Sequence, residues 1–184
     1  SAMRDASNSK EIIREIKADT GIKVEVISGD LEAEIIYENH IAELLDATKS
    51  YIYIDVGGGS TEVTLFHKSA VAFQKSFNIG TVRLLTNKVE DATWEDLKQT
   101  LKEIGRTYPK LVAIGSGGNI NKIYSMINSK NIKSIPIEVI REFLRVLEPM
   151  SVEERMHTYL LKRDRADVIV PALRIYANTM KWAN

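Results

Sequence analysis

The chain has 184 residues, enough for one ordinary domain or two small lobes with a hydrophobic core. Its 25 lysines and arginines balance its 25 aspartates and glutamates, which argues against a general nucleic-acid binder because phosphate contacts need surplus positive charge. Cysteine is absent, which excludes disulfides, thiolate catalysis and cysteine zinc sites. No apolar run approaches the roughly 20 residues that span a bilayer, so we expect a cytoplasmic protein without a membrane partner.

The first 50 residues are predicted to contain a helix, a strand and a second helix. A capping-box pattern at 8–11 and isoleucines at helical spacing predict a helix that ends at Gly21. Residues 23–27 alternate in the manner of a strand, and a turn at 28–30 leads into a second helix that reaches Leu45.

From residue 51 the pattern changes. Runs at 51–56, 61–66 and 70–77 predict an antiparallel meander with a glycine-rich first turn. An apolar strand at 111–114 leads through a second glycine cluster to a helix from about residue 119. Further helices are predicted at 94–104, at 138–147, after the capping box at 151–154, and at 167–182 with Pro171 near its first turns. This order predicts an α/β lobe with a mixed sheet.

The strongest chemical signal is the segment from Asp55 to Glu62, DVGGGSTE. Three glycines let backbone N–H groups approach an anion, and the hydroxyl groups of Ser60 and Thr61 can add donors. Glu62 can face the same pocket as Asp55, and two carboxylates beside a phosphate are suited to Mg²⁺. The alternative is a glycine-rich hairpin without a ligand.

Two further segments have a structural and a functional interpretation. The GSGG cluster at 115–118 is either an anion site at a helix start or a tight turn. Residues 27–33 place acids in the first turn of a helix, which fits either helix capping or a general base beside the cleft. Arg4, Arg83 and Arg165 are candidate phosphate ligands, and the three histidines show no ligand spacing.

Six segments, in this order, resemble motifs of the Ppx/GppA phosphatase family, the exopolyphosphatases and guanosine pentaphosphate phosphohydrolases of the actin-like ATPase superfamily. They are SAMRDASN at 1–8, ISGDLEA at 27–33, DVGGGSTE at 55–62, GTVRL at 80–84, GSGGNI at 115–120 and RADVI at 165–169. The resemblance implies an actin-like, ribonuclease H-like lobe with a mixed sheet of five-stranded type and flanking helices. Residues 47–184 would form this second lobe, and residues 1–46 would be the C-terminal remnant of a first lobe whose phosphate loop has no counterpart here.

The resemblance also implies a role for each matching residue. Glu32 corresponds to the family's catalytic base, which activates water for attack on a terminal phosphoryl group. Asp55 and Glu62 would help to hold Mg²⁺, directly or through water. Phosphate would be bound by Gly57, Gly58, Gly59, Ser60, Gly117, Gly118, Arg4 and Arg83.

The function implied is Mg²⁺-dependent hydrolysis of terminal phosphoanhydride bonds in inorganic polyphosphate or guanosine pentaphosphate, with little hydrolysis by this polypeptide alone. Two alternatives are an actin-like sugar kinase or ATPase module and a non-catalytic phosphate-sensing module. An unpaired strand at 23–27 would favour association, so a homodimer is expected.

Overall fold

The computed structural model describes residues 3, 6–28, 31, 45–127 and 134–184. Within these ranges the helices are α1 (Ser9–Thr20), α2 (Thr81–Leu85), α3 (Asp91–Thr107), α4 (Gly118–Ile127), α5 (Ile137–Leu147), α6 (Val152–Tyr159) and α7 (Arg163–Trp182). The strands are β1 (Ser50–Val56), β2 (Thr61–His67), β3 (Ala70–Phe77) and β4 (Val112–Ser116). Among the described residues, none of these helices combines the length and the apolar character needed to cross a membrane.

The four described strands form one mixed sheet in the order β3-β2-β1-β4. β1, β2 and β3 form the predicted antiparallel meander, and β4 lies parallel to β1. A parallel neighbour needs a crossover connection, which α2 and α3 supply between β3 and β4. The predicted mixed sheet is confirmed, with four strands in the described part where five were expected.

The two faces of the sheet have different environments because successive side chains of a strand alternate. One face joins the main core through Ile52, Ile54, Val56, Val63 and Phe77. The other face carries a small cluster around Tyr53 and Phe66, and also Asp55 and Glu62 where β1 ends and β2 begins. The acidic pair therefore lies on the face opposite the main core.

Helix α7 is the centre of the packing, because it contacts β1 and every helix from α2 to α6. It begins at Arg163, four residues before the predicted start, so Pro171 lies inside the helix instead of near its first turns. Proline removes one backbone hydrogen bond there. Ten buried residues of α7, Pro171 among them, offset that loss through tertiary packing.

The N-terminal segment matches the prediction in part. Helix α1 forms as predicted and is capped by Gly21, whose φ of 72° lies in the left-handed region. The predicted strand at 23–27 is wrong: those residues form no strand, and Val26 is 42% exposed. A strand needs a neighbour for its backbone hydrogen bonds, and no described strand pairs with this segment. The homodimer expected from it loses its structural reason, and most of the predicted second helix lies outside the described residues.

Candidate functional site

The two glycine clusters meet at one edge of the sheet. β1 and β4 are parallel neighbours, with Asp55 in register with Ser116, so the loops that follow them start side by side. A methyl group on Gly117 would lie 3.1 Å from Asp55 Oδ1, and the φ of Gly117 is 97°. Glycine is therefore needed at position 117 both for its backbone conformation and for the approach of Asp55. The fold brings together the clusters that the sequence separates by more than fifty residues.

The start of α2 holds the carbonyl groups of the triglycine loop. Thr81 N–H donates to Gly57 O at 3.0 Å, Val82 N–H donates to Gly58 O at 2.8 Å, and Arg83 Nε donates to Gly59 O at 2.6 Å. In a trans peptide the N–H points opposite to the C=O, and the described chain has no cis peptide bond. The N–H groups of Gly58, Gly59 and Ser60 therefore all point away from α2, which is the arrangement of an anion-binding nest.

Gly80 makes this arrangement possible. Its backbone is extended, with a φ of −137°, so its conformation alone does not require glycine. A methyl group there would lie 2.3 Å from Gly58 O and 2.5 Å from the carbonyl carbon of Gly59. Gly80 thus allows direct contact between α2 and the loop.

Asp55 and Glu62 are directly opposite each other on β1 and β2, so their side chains share one face of the sheet. Glu62 is only 5% exposed. Its Oε1 accepts a hydrogen bond from Ser60 Oγ at 2.5 Å and another from Ser76 Oγ at 3.0 Å. Two hydroxyl donors compensate for burying the carboxylate, and in return Glu62 orients Ser60 at the end of the loop.

This carboxylate pair fits a hydrated Mg²⁺ ion better than a metal held entirely by protein. Mg²⁺ keeps several waters and is commonly bound by one or two carboxylates together with substrate phosphates. Asp55 lies beside both loops, whereas Oε1 of Glu62 is already engaged by hydroxyl groups. The described ranges contain no group of three or more potential metal-ligating side chains.

Two tyrosines lie near Asp55, and no sequence pattern predicted a role for either of them. Tyr176, on α7, is 1% exposed and donates to Ser116 O at 2.8 Å. Burial and the negative charge of Asp55 raise the pKa of Tyr176 well above its ordinary range. Burial also raises the pKa of Tyr53, and Asp55 adds to that effect. Both phenols stay protonated, so Asp55 has uncharged neighbours on this side.

Helix α7, which is distant in the sequence, contacts the second glycine loop. Arg165 Nη1 donates to Asn119 Oδ1 at 2.5 Å, and Arg165 Nη2 lies 3.0 Å from where a methyl group of Gly118 would stand. Glycine at 118 therefore lets the guanidinium approach the start of α4. Arg165 was one of the candidate arginines, whereas Asn119 carried no signal beyond its place in the glycine cluster.

The structure brings most of the predicted site residues together, but the contacts of some differ from those expected. The loops bring together Asp55, Gly58, Gly59, Ser60, Glu62, Gly117 and Gly118. Gly57 N–H donates to Ser60 O at 2.9 Å, so Gly57 closes the hairpin and its amide is not among the outward donors. Arg83 lies on the carbonyl side of the loop, where it anchors Gly59. Glu32 and Arg4 lie outside the described residues.

Comparison with known proteins relates this arrangement to a family. A model of the Ppx/GppA phosphatase family matches residues 1–183. The chain is 35% identical over 117 residues to the bifunctional 3-dehydroquinate synthase/phosphatase of Fusobacterium nucleatum, covering 56% of this chain and 18% of that protein. It is 29% identical over 189 residues to the guanosine-5'-triphosphate,3'-diphosphate pyrophosphatase of Pseudoalteromonas translucida, covering 94% of this chain and 37% of that protein.

Among solved structures, the fold is similar to that of an exopolyphosphatase from Cytophaga hutchinsonii, with a TM-score of 0.78 at 23% identity. That match covers 100% of this chain and 66% of the other. The chain thus spans 18% and 37% of the lengths of the two curated relatives, and the solved structure supports the actin-like fold that the motifs imply.

Proposed function

Because the chain belongs to the Ppx/GppA phosphatase family, we propose that it supplies the glycine-loop part of a site that hydrolyses terminal phosphoanhydride bonds in polyphosphate or guanosine pentaphosphate. The observation that carries this proposal is the meeting of two glycine loops on the neighbouring strands β1 and β4, with Asp55 between them. Such a cleft at the carboxyl ends of parallel strands is a common ligand site in α/β proteins.

The loops would hold the phosphates through backbone donors. The N–H groups of Gly58, Gly59 and Ser60 point to the side of the loop away from α2. The first N–H groups of α4 precede its hydrogen-bond ladder, whose first donor is Asn121 N–H to Gly117 O at 3.3 Å. Preorganised donors of this kind stabilise charge that develops on phosphoryl oxygens without having to reorient during the reaction.

Asp55 and Glu62 are proposed to hold Mg²⁺, with Asp55 closest to the substrate and Glu62 acting through water because its Oε1 already accepts two hydroxyl groups. When bound, the ion would neutralise charge on the phosphate oxygens. The protein's own contribution is to keep Ser60 and Asp55 in place around the ion, which the Glu62 hydrogen bonds and the β1–β2 register do.

The base proposed from the family resemblance is Glu32. In that step a water oxygen attacks the terminal phosphorus, the bond to the bridging oxygen breaks, and the water proton passes to the Glu32 carboxylate. The products are orthophosphate and a chain or nucleotide shorter by one phosphate. Water is the acceptor and no ATP is needed as a phosphoryl donor, which separates this reaction from that of a sugar kinase.

The test measures orthophosphate release from polyphosphate and from guanosine pentaphosphate by the full-length protein, with Mg²⁺ and with a chelator. We expect Mg²⁺-dependent release that falls at least about 100-fold in Glu32→Ala, the range expected for loss of a general base. Glu34→Ala, which removes an acid two residues further on, is the matched control and should keep its activity. Full activity in Glu32→Ala would remove that residue from the role, and calorimetric binding without any release would favour the sensing module.

A further inference from the structure

We propose that Asn119 is an additional phosphate-binding residue of the second glycine loop, and that Arg165 is the positioning residue that aims its side-chain amide at the anion. This inference rests on the proposed function, because it adds a donor to the same site. Asn119 and Arg165 are 46 positions apart in the chain and are joined by one hydrogen bond.

The Asn119 side chain is buried, and only its oxygen atom has a hydrogen-bond partner among the described residues. Asn119 is 7% exposed, which makes it one of the few buried polar residues of the described chain. A carboxamide has an acceptor oxygen and an NH₂ group with two donors. Oδ1 accepts from Arg165, and Nδ2 donates no hydrogen bond to another of the described residues. Buried donors are almost always paired, so an unpaired NH₂ group here points to an acceptor that comes from a ligand.

The chemistry of Arg165 determines which end of the amide faces the ligand. A guanidinium group only donates hydrogen bonds, so the carboxamide oxygen must face Arg165 and the NH₂ group must face away from it. Asn119 is the second residue of α4, and side chains of a helix tilt toward its N-terminus. Asn119 comes directly after the glycine loop at 117–118, so its Nδ2 donors lie close to the first N–H groups of α4.

The charge around the pair selects an anion. No described carboxylate forms an ion pair with Arg165, whose guanidinium lies against Gly118 at the start of α4. The positive charge, the helix N-terminus and the two Nδ2 donors all favour the same ligand, an oxyanion with several terminal oxygens. Within the proposed function this ligand is a phosphoryl group of the substrate.

The decisive variant is Asn119→Asp, which keeps the shape of the side chain but replaces its donors with a charged acceptor. The new carboxylate can pair with Arg165, so the unfolding midpoint should stay the same or rise. Affinity for inorganic tripolyphosphate with Mg²⁺, measured by calorimetry, should fall at least about tenfold, since a hydrogen bond to a charged group is lost and a like charge is introduced. A residue needed only for folding would lower stability and affinity together.

Asn121→Asp is the matched control. It makes the same chemical change two residues further along the same helix, at an exposed position, and should change the affinity less than about twofold. Equal losses in the two variants would overturn the proposal, because they would indicate a general charge effect. If the unaltered protein binds no tripolyphosphate and releases no orthophosphate, the proposed function fails; if it binds and Asn119→Asp binds equally well, only this inference fails.

The positioning role of Arg165 is tested by Arg165→Met in two backgrounds. In the unaltered protein, we expect a loss of several-fold in tripolyphosphate affinity because the amide is no longer oriented. In an Asn119→Ala background, the same substitution should change the affinity less than about twofold, because no amide remains to be oriented. An equal loss in both backgrounds would show that Arg165 does not act through Asn119.

Discussion

The contact between Gly80 and the triglycine loop gives the sharpest prediction of the structure. In Gly80→Ala, the new methyl group would lie 2.3 Å from Gly58 O, whereas ordinary van der Waals contact begins at about 3.4 Å. The loop and the start of α2 must therefore separate by about 1 Å. The hydrogen bonds from Thr81 N–H at 3.0 Å and from Val82 N–H at 2.8 Å would then lengthen to about 4 Å, which is beyond hydrogen-bonding range.

The expected loss of stability in Gly80→Ala has two sources, lost hydrogen bonds and overpacking. Two or three backbone hydrogen bonds at about 1 kcal/mol each give a loss of about 2–3 kcal/mol in the free energy of unfolding, which lies within the roughly 1–3 kcal/mol typical of an overpacked contact. For a chain of 184 residues this lowers the unfolding midpoint by roughly 4–12 °C. Tripolyphosphate affinity should fall as well, because the loop amides are no longer held in one direction.

The measurements are thermal unfolding and calorimetric titration of Gly80→Ala beside Gly58→Ala. At Gly58 an added methyl group would meet only the Val82 side chain, at 3.3 Å, which can shift slightly. We therefore expect Gly58→Ala to lower the free energy of unfolding by less than about 1 kcal/mol. If Gly80→Ala is as stable as Gly58→Ala and binds tripolyphosphate normally, the account of how α2 orients the loop is refuted.

Three further predictions concern charged and phenolic groups. Glu62→Gln should keep the unfolding midpoint within a few degrees, because the amide oxygen still accepts a hydrogen bond from Ser60. Calorimetry should show at least about tenfold weaker Mg²⁺-dependent binding of tripolyphosphate. Because the pKa of Tyr176 is raised in the folded state, the folded protein keeps a proton that the unfolded chain loses above about pH 10. The free energy of unfolding should therefore be unaffected below that pH and decrease above it. Tyr176→Phe should make this alkaline decrease smaller in a pH series of denaturant unfolding. Arg155→Met should lower the free energy of unfolding by about 2–4 kcal/mol in urea, because the buried Arg155 guanidinium donates to two backbone carbonyl groups.

Each of these three has an outcome that contradicts it. Unchanged Mg²⁺-dependent binding of tripolyphosphate in Glu62→Gln would show that the charge of Glu62 does not contribute to the metal site. An identical alkaline loss of stability in Tyr176→Phe would show that other groups cause it. Arg163→Met is the control for Arg155→Met, since the exposed Arg163 makes a surface ion pair with Glu153 at 3.5 Å that should contribute less than about 0.5 kcal/mol. Equal effects of the two substitutions would contradict the assignment.

Local signals in the sequence were sufficient for the elements whose hydrogen bonds close over a few residues. The capping box is an example: Glu154 N–H donates to Ser151 Oγ at 3.2 Å, and Ser151 N–H donates to Glu154 Oε2 at 2.6 Å. The meander follows from alternation and from the glycine turn. The strand predicted at 23–27 failed because strand formation depends on a distant neighbour, which no local pattern supplies.

The same distinction holds for the site. The glycine clusters and Asp55 could be predicted, since they lie in short segments with their own chemistry. The contact of Tyr176 with Ser116 spans 60 positions, and that of Arg165 with Asn119 spans 46. Such contacts depend on how α7 packs across the sheet, which is a property of the whole fold. The roles of Glu32 and Arg4, the lobe boundary at residues 46–47 and the cytoplasmic location stay predictions.

The position of α7 in the chain affects how the protein folds while it is being synthesised. Residues of the sheet core such as Ile52 and Val63 leave the ribosome about 100 residues before Arg163, at which α7 begins. At about 5–20 residues per second, roughly 5–20 s pass between the synthesis of the sheet and the start of α7. During that interval the core lacks the buried face of α7 and is open to misassociation, so yields in cells should depend on chaperones and on translation speed upstream of α7.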